Sequence, residues 1–270
     1  MSIVAAMQAI ALLTDFGTRD PYVAAMKGVL ASRTSVPLHD LTHDLPPFDV
    51  LGAAWFLGTV VRYWPAGTIF VCIVDPGVGT TRRIVAVEGD GRVFLAPDNG
   101  LLTFVWKTGN PACHDGQAGS PVLHSVENKS LFLPGGSNTF HGRDRFAPVA
   151  AALANGLPLE DVGPRIDGII TLSYTPPSYE EQIVRGTVVA VDRFGNVITD
   201  IDASRIPFAP FALTAHDIHL DRLEQNYGDA TPGPFLIVGS TGCIEISIAN
   251  ANAAERLHLR RLQRVAIIPA

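Results

Sequence analysis

Cysteine is scarce in this chain of 270 residues: Cys72, Cys113 and Cys243 are odd in number, far apart and outside any CxxC spacing. That excludes a disulfide framework and a structural zinc knuckle, and it points to a reduced, cytoplasmic protein. Charge is also sparse, at 17% of residues, and no basic run exceeds an arginine pair. With 20 Lys+Arg against 26 Asp+Glu, a net charge of −6 and a pI near 5.7, the chain lacks the cationic face of a nucleic-acid binder. The mean hydropathy of +0.24 is high, yet no apolar stretch approaches the ~20 residues that a bilayer span requires. The apolar start, Met1 to Leu13, carries no Lys or Arg and reads as a short tail leading into a first buried strand. Several chemical signatures are missing too. There is no HExxH or comparable metal-ligand spacing, no GxSxG elbow and no GxGxxG or GxxxxGK[ST] phosphate loop, so metal hydrolysis, serine-type acyl transfer and nucleotide-phosphate cradles lose their usual support.

What is present is a hydrophobic content of 47%, enough for two self-sufficient cores. Ala9–Thr14 and Thr68–Val74 are Ile/Leu/Val-rich runs, each followed at once by an aspartate, as in buried parallel strands whose C-terminal ends carry polar groups. Helical spacing over Pro21–Ser32, Val50–Trp64 and Arg145–Asn155, with further strands at Arg92–Ala96 and Leu131–Leu133, predicts an α/β layer structure with a mostly parallel sheet. From about Thr171 the texture changes to a segment rich in Tyr, Pro and Ser with no periodicity. Residues 1–173 are therefore read as an α/β domain, 174–182 as a linker and 183–270 as a smaller, mainly β domain. The latter rests on Val184–Val191, Val197–Ile201, Pro234–Val238 and Cys243–Ile248, with a single possible helix over Ala253–Arg261.

Five polar segments beside glycines could carry chemistry. Asp15, at a strand end before Gly17, suits a carboxylate facing a ligand at the sheet edge, although Asp15 or Thr18 could equally cap the next helix. Asp75 and Arg82 lie on either side of a glycine-bearing loop and could face one another. The Ala96–Gly100 stretch is most simply a tight turn. His141, flanked by Gly142 and charged residues at the mouth of an Ala-rich helix, is placed where its pKa would be tuned. Gly195 and Asn196 read as a hairpin turn, which leaves Asp192 and Phe194 less well explained.

Together LTDFG (13–17), HDLPPFDV (43–50), VDPGVGTTRR (74–83), APDNGLLT (96–103), TFHGRDRFAP (139–148) and DRFGNVITDI (192–201) resemble the adenosine-forming S-adenosylmethionine hydrolases, also called S-adenosylmethionine hydroxide adenosyltransferases, relatives of the bacterial fluorinase and chlorinase. The resemblance runs from about Ala11 to Glu255. It implies an α/β N-terminal domain, a β-barrel-like C-terminal domain, and a homotrimer whose sites lie at subunit interfaces with a small-molecule substrate, and no cofactor, metal, nucleic acid or membrane. Asp75, Arg82 and His141 look like the water-handling trio of the hydrolase branch, where halide-using relatives carry other residues at the Asp75 and His141 positions. Asp15 is expected to hold the ribose hydroxyls and Phe48 to pack on the ribose and thioether region. Phe194 and Asn196 are expected at the adenine, with Ser240, Glu245 and Ile248 completing the pocket. Asp20, Phe140, Asp192 and Tyr227 belong to the same substrate-binding set. Thr241 stands where the fluorinase has an arginine for the methionine carboxylate, and Cys243 and Ile244 replace a more usual aromatic and leucine.

The implied chemistry is hydrolysis of S-adenosyl-L-methionine to adenosine and L-methionine, with Asp75 and His141 holding the water and Arg82 orienting Asp75 and keeping it ionised. Asp75, His141 and a hydroxide stabilised by Arg82 stay open as answers to where the water's proton goes. The alternatives are a halogenase-like enzyme and a non-catalytic S-adenosylmethionine or adenosine binder.

Overall fold

The computed structural model describes residues 7–106, 121–228 and 232–270. They fall into two compact units, the first ending at Leu172 and the second running from Ser173. Cys113 lies outside the described residues, whereas Cys72 and Cys243 are free and buried. No described helix is long and apolar enough to cross a membrane.

The first unit is built on a six-stranded sheet of β1 (Ala9–Thr14), β2 (Leu38–Thr42), β3 (Thr68–Ile73), β4 (Ile84–Gly89), β5 (Arg92–Pro97) and β6 (Val122–Ser125) in the order β2-β1-β3-β5-β4-β6. The pairings β1–β2, β1–β3 and β3–β5 are parallel, and the β4 and β6 edge is antiparallel. Every residue of β1 and β3 is buried, as their unbroken apolar runs require of strands covered on both faces. Alternation along β1 sends Ile10 and Leu12 into a core shared with α1 (Tyr22–Ala31) and α4 (Ala147–Ala154). Ala11 and Leu13 point into the opposite core, with α2 (Val50–Val60) and α3 (Thr103–Trp106). The result is a three-layer α/β/α arrangement. Asp49 starts α2 by accepting a hydrogen bond from Gly52 N at 2.9 Å.

The second unit is a curled, half-barrel sheet. Its strands are β7 (Ser178–Glu180), β8 (Ile183–Val191), β9 (Val197–Asp202), β10 (Phe211–Ala215), β11 (Ile218–Leu220), β12 (Leu223–Glu224), β13 (Pro234–Val238), β14 (Cys243–Ile248) and β15 (Arg264–Pro269). They run in the order β11-β10-β15-β8-β9-β14-β13-β12, with β7 paired to β8, around one core that includes Val188, Leu213, Leu236, Ile246 and Ile267. β7 thus lies inside the stretch read as a linker.

Three expectations need correction. Leu131–Leu133 is not a strand: Phe132 N bonds to Lys129 O and Leu133 N to Asp144 O, so these donors serve a turn and a loop instead of a ladder. The helix expected from Arg145 begins at Ala147, after one turn of π-helix over Gly142–Phe146. The helix expected over Ala253–Arg261 is the single turn α5 (Ala253–Arg256), closed by His258 in the left-handed region.

The turn after β5 fastens the edge of the sheet at the C-terminal end of β3. Asn99 donates from Nδ2 to Val74 O at 2.8 Å, and Asp98 accepts from Arg83 and from Ile170 N. Gly100 has φ +97°, and a Cβ there would sit 2.7 Å from Leu172 Cγ and 3.1 Å from its backbone nitrogen. Gly100→Ala is expected to destabilise the first unit by ~1–3 kcal/mol through backbone strain and overpacking, read as a lowered thermal midpoint by circular dichroism. An unchanged midpoint would show that this turn yields freely.

Candidate active site

Parallel pairing in register sets Thr14 beside Ile73, so the loops after β1 and β3 leave the same sheet edge side by side. A crevice outside the C-terminal ends of such strands is where open α/β sheets hold ligands. Asp75 follows β3 after a single residue. Its Oδ1 accepts from Arg82 Nε at 2.9 Å and its Oδ2 from Arg82 Nη2, a fork-to-fork pair with both side chains largely buried. The same Nη2 lies 2.9 Å from His141 Nδ1. The three residues expected to act together are therefore joined by one guanidinium.

A guanidinium has only hydrogens to offer, so His141 Nδ1 is the acceptor and the neutral ring carries its hydrogen on Nε2. Burial, then the neighbouring charges of Arg145 and Arg82, push the His141 pKa down to about 4, against the opposing pull of Asp75 and Asp144. The ring is 2% exposed, and its Nε2 finds no partner among the described residues. A buried donor without an acceptor marks a place for one. The π-helical turn places this ring: Ala147 N reaches back to Gly142 O, and Asp144 pins the preceding loop by accepting from Ser137 N at 2.7 Å and from Arg143. The bond from Arg143 holds the Asp144 carboxyl below its ordinary range.

Asp15 does not cap α1, whose first turn has no side-chain cap, and neither does Thr18. Its Oδ2 instead accepts Phe48 N at 2.7 Å, leaving Oδ1 without a partner among the described residues. Phe48 itself is 70% exposed and holds φ +66°, a conformation that a bulky residue keeps only where its surroundings enforce it. Phe140 packs edge-on against Phe16 and Tyr22, with Arg143 over its ring, so the residues next to Asp15 and next to His141 meet in one aromatic cluster. Asp20 lies exposed on the turn before α1.

In the second unit, Asp192 organises the β8–β9 hairpin. Its Oδ1 accepts Phe194 N and Asn196 N, its Oδ2 accepts Asn196 Nδ2 at 2.9 Å, and Gly195 takes φ +87°. The turn thus accounts for Asp192 as well as for Gly195 and Asn196. Phe194 remains 77% exposed at the rim of a cleft of about 600 Å³ lined also by Asp192, Asn196, Tyr227 and Ile248. Tyr227 donates to Glu245 Oε2 at 3.0 Å. Burial raises the pKa of Glu245, and burial together with that carboxylate pushes Tyr227 up to about 12. The Glu245 carboxylate lies directly over Gly239, where a Cβ would collide with it, and Ser240 is exposed beside it. Two contributors escaped the sequence reading: the Phe16–Tyr22 half of the aromatic cluster, and His43, which opens the HDLPPFDV segment. The signal for His43 was its place in that segment. Among the described residues no group of three or more His, Cys, Asp or Glu is placed to hold a metal ion.

Residues 10–163 match the family model for the SAM hydroxide adenosyltransferase N-terminal domain, and residues 186–266 match that for its C-terminal domain. A Thermus thermophilus protein named (R)-S-adenosyl-L-methionine hydrolase is 38% identical over 94% of this chain and 97% of its own length. A fluorinase of Actinopolyspora mzabensis is 30% identical over 74% of this chain and 73% of its own. The solved structure of a Thermotoga maritima protein superposes with a TM-score of 0.86 at 32% identity, covering 96% of this chain and 99% of that one.

The geometry fixes a testable protonation state. With its pKa near 4, His141 is expected to stay neutral and Nε2-protonated from pH 5 to 8, seen as unchanging ring ¹⁵N shifts in the folded protein. Because the unfolded ring binds its proton near 6.5, the unfolded state holds more protons between about pH 4 and 6.5, so this group makes stability fall as pH drops through that window. A His141 resonance titrating near 6.5 would contradict the assignment.

Proposed function

Because the chain belongs to the SAM hydroxide adenosyltransferase family, we propose that it hydrolyses S-adenosyl-L-methionine to adenosine and L-methionine. Oxygen bonds to C5′ as the C5′–sulfur bond breaks, the bonding pair leaves with sulfur, and the sulfonium charge is discharged in the departing thioether. Methionine leaves neutral, so no acid has to assist it. What the protein must provide is an oxygen nucleophile held in line, and alignment of that kind is worth several kcal/mol.

The observation that carries this reading is the Asp75–Arg82–His141 linkage. His141 has its Nδ1 engaged by Arg82 and its hydrogen on Nε2, so it serves as a donor to the nucleophile and not as the base. Both Asp75 oxygens face the guanidinium, which leaves Asp75 to orient the water through its remaining lone pairs. Of the three routes for the proton, this favours a hydroxide stabilised by the Arg82 charge and the His141 N–H. The same carboxylate disfavours a halide in that place, which speaks against halogenase chemistry despite the fluorinase relative. The substrate-binding roles follow the family pattern: Asp15 Oδ1 for the ribose hydroxyls, the Phe48 ring for the ribose and thioether, and the free amide atoms of Asn196 with the Phe194 ring for adenine. In the relative's name, "L" already fixes the α-carbon, so the (R) label falls on the sulfonium, and we extend that preference to this chain. A cytoplasmic setting suits the two free, buried thiols.

Pure protein incubated with S-adenosylmethionine should yield adenosine by mass spectrometry with or without chloride or fluoride, should consume one sulfonium epimer and spare the other, and should persist under exhaustive chelation. Its kcat/KM should go on rising from pH 6 to pH 9, whereas a histidine base would level off above its own pKa. Asp75→Asn is expected to lower kcat by ~10²–10⁴ while adenosine binding survives. A 5′-halogenated nucleoside, or a loss of activity on chelation that a divalent ion restores, would overturn the reading.

The assembly is part of the proposal: a homotrimer in which the first unit of one subunit and the second unit of its neighbour build each site. Support comes from the division of the motifs between the units and from the exposure of Phe48 and Phe194. Co-refolding inactive His141→Ala and Asn196→Ala chains should restore part of the activity. Mixed oligomers as inactive as their parents would confine each site to one chain.

A further inference from the structure

We propose that His43 is a positioning residue that sets the Asp15 carboxylate against the ribose, an inference that rests on the substrate reading above. The imidazole is 5% exposed and sits between the loops that follow β1 and β2. Its Nδ1 lies 2.8 Å from Thr14 Oγ1, which itself accepts from Phe16 N at 3.2 Å, and its carbonyl accepts from Gly17 N at 2.8 Å. A hydroxyl offers one hydrogen and two lone pairs, so Thr14 serves Phe16 N and meets Nδ1 at the same time. The ring's other nitrogen, Nε2, lies 3.0 Å from Asp40 Oδ1, and Asp40 Oδ2 takes Lys27 Nζ at 2.6 Å.

Residues 14, 16 and 17 are thus all tied to His43, directly or through the Thr14 hydroxyl, and Asp15 is the residue they bracket. From the same second loop comes Phe48 N, bonded to Asp15 Oδ2. The carboxylate is therefore fixed from both sides: His43 holds its backbone and Phe48 holds one oxygen, which restricts the plane of the other. The order hydroxyl, imidazole, carboxylate has the residue types of a nucleophilic triad. Thr14 is fully buried, however, so no substrate reaches its oxygen and the network serves geometry instead. Orientation matters because a carboxylate that accepts two neighbouring hydroxyls loses much of that interaction when its plane is free to rotate.

Binding of adenosine and of 2′,3′-dideoxyadenosine, measured by calorimetry, isolates the ribose contact. Hydrogen bonds to a charged carboxylate predict that wild type holds adenosine about tenfold or more tighter than the dideoxy compound. In Thr14→Val that gap should largely close, by a loss of adenosine affinity with dideoxyadenosine unaffected, while Thr14→Ser keeps the gap. For S-adenosylmethionine turnover the Val variant should raise KM about tenfold with kcat little changed, as expected when an interaction common to ground and transition states is lost. Asp40→Ala changes an exposed residue at the far end of the network and should narrow the gap in part. A folded Thr14→Val that keeps the wild-type gap overturns the proposal, and should that variant fail to fold, an undiminished gap in Asp40→Ala does the same. If wild type shows no gap, the ribose role of Asp15 is itself wrong and the inference falls with it. A gap that is present but insensitive to both variants condemns His43 alone.

Discussion

Arg82 spends its guanidinium on two neighbours at once, and the candidate catalytic centre depends on that division. A buried cation is tolerable only if paired, and Asp75 supplies the pair with both oxygens. The remaining hydrogen of Nη2 goes to His141 Nδ1 and so selects the tautomer of the ring. With Arg82 and Arg145 both near the imidazole, a proton on it would add a further positive charge to a desolvated site, so the ring stays neutral. A lysine could not replace this arrangement, since a point charge on a flexible stem cannot fork onto a carboxylate and hold a planar ring in the same geometry. Truncating Asp75 would open a cavity beside the guanidinium as well as remove its counter-charge, which is why loss of charge at constant shape is the cleaner change.

The sheet explains how such a centre is assembled from distant parts of the chain. β1 and β3 are adjacent and parallel, so the turns carrying Asp15 and Asp75 emerge together without any long-range loop having to find its place. The third component arrives on the π-helical turn before α4. There the close approach of Gly142 to Met26 and Ile73 draws the turn onto the core, since a Cβ at 142 would lie 2.9 Å from Met26 Sδ. Two rigid strands and one tightly packed turn therefore hold the groups, with the Asn99 amide fixing the carbonyl of the residue before Asp75. Sites carried on such elements keep sub-ångström geometry better than sites on free loops.

Legibility followed burial. β1, β3 and β5 were readable because strands covered on both faces must be apolar throughout, and β8, β9, β13 and β14 because β-branched residues dominate them. β2 was not, since its residues LHDLT are polar and partly exposed at the sheet edge, and only pairing with β1 makes them a strand. β4 left a signal that went unread: Asp90 and Gly91 both take positive φ between Gly89 and Arg92, the two-residue turn that an Asp-Gly pair favours. β11 and β12 span three and two residues and carry no periodicity at all. In the site, Asp75, Arg82 and His141 were named from residue type and motif, but the tautomer of His141 was not. It depends on which nitrogen meets Arg82, a fact of three-dimensional placement.

For several residues the structural and functional readings that compete at the level of sequence turn out to use different atoms of one side chain. Asp192 explains the hairpin through its carboxylate and leaves the Phe194 ring free at the rim of the cleft. Asn196 gives one amide hydrogen to that turn and keeps its carbonyl and second hydrogen. Asp15 gives Oδ2 to Phe48 N and keeps Oδ1, and His141 gives Nδ1 to Arg82 and keeps the N–H at Nε2. A group satisfied through one atom is held still, and that immobility is what lets its remaining atom discriminate among ligands. Under the proposed function, the unspent atoms (two hydrogen-bond donors, two acceptors and an aromatic face) would serve a ribose, an adenine edge and a small oxygen nucleophile. Deciding whether such a motif is a turn or a site is therefore the wrong division, because in this fold the turn is the means by which the site keeps its shape.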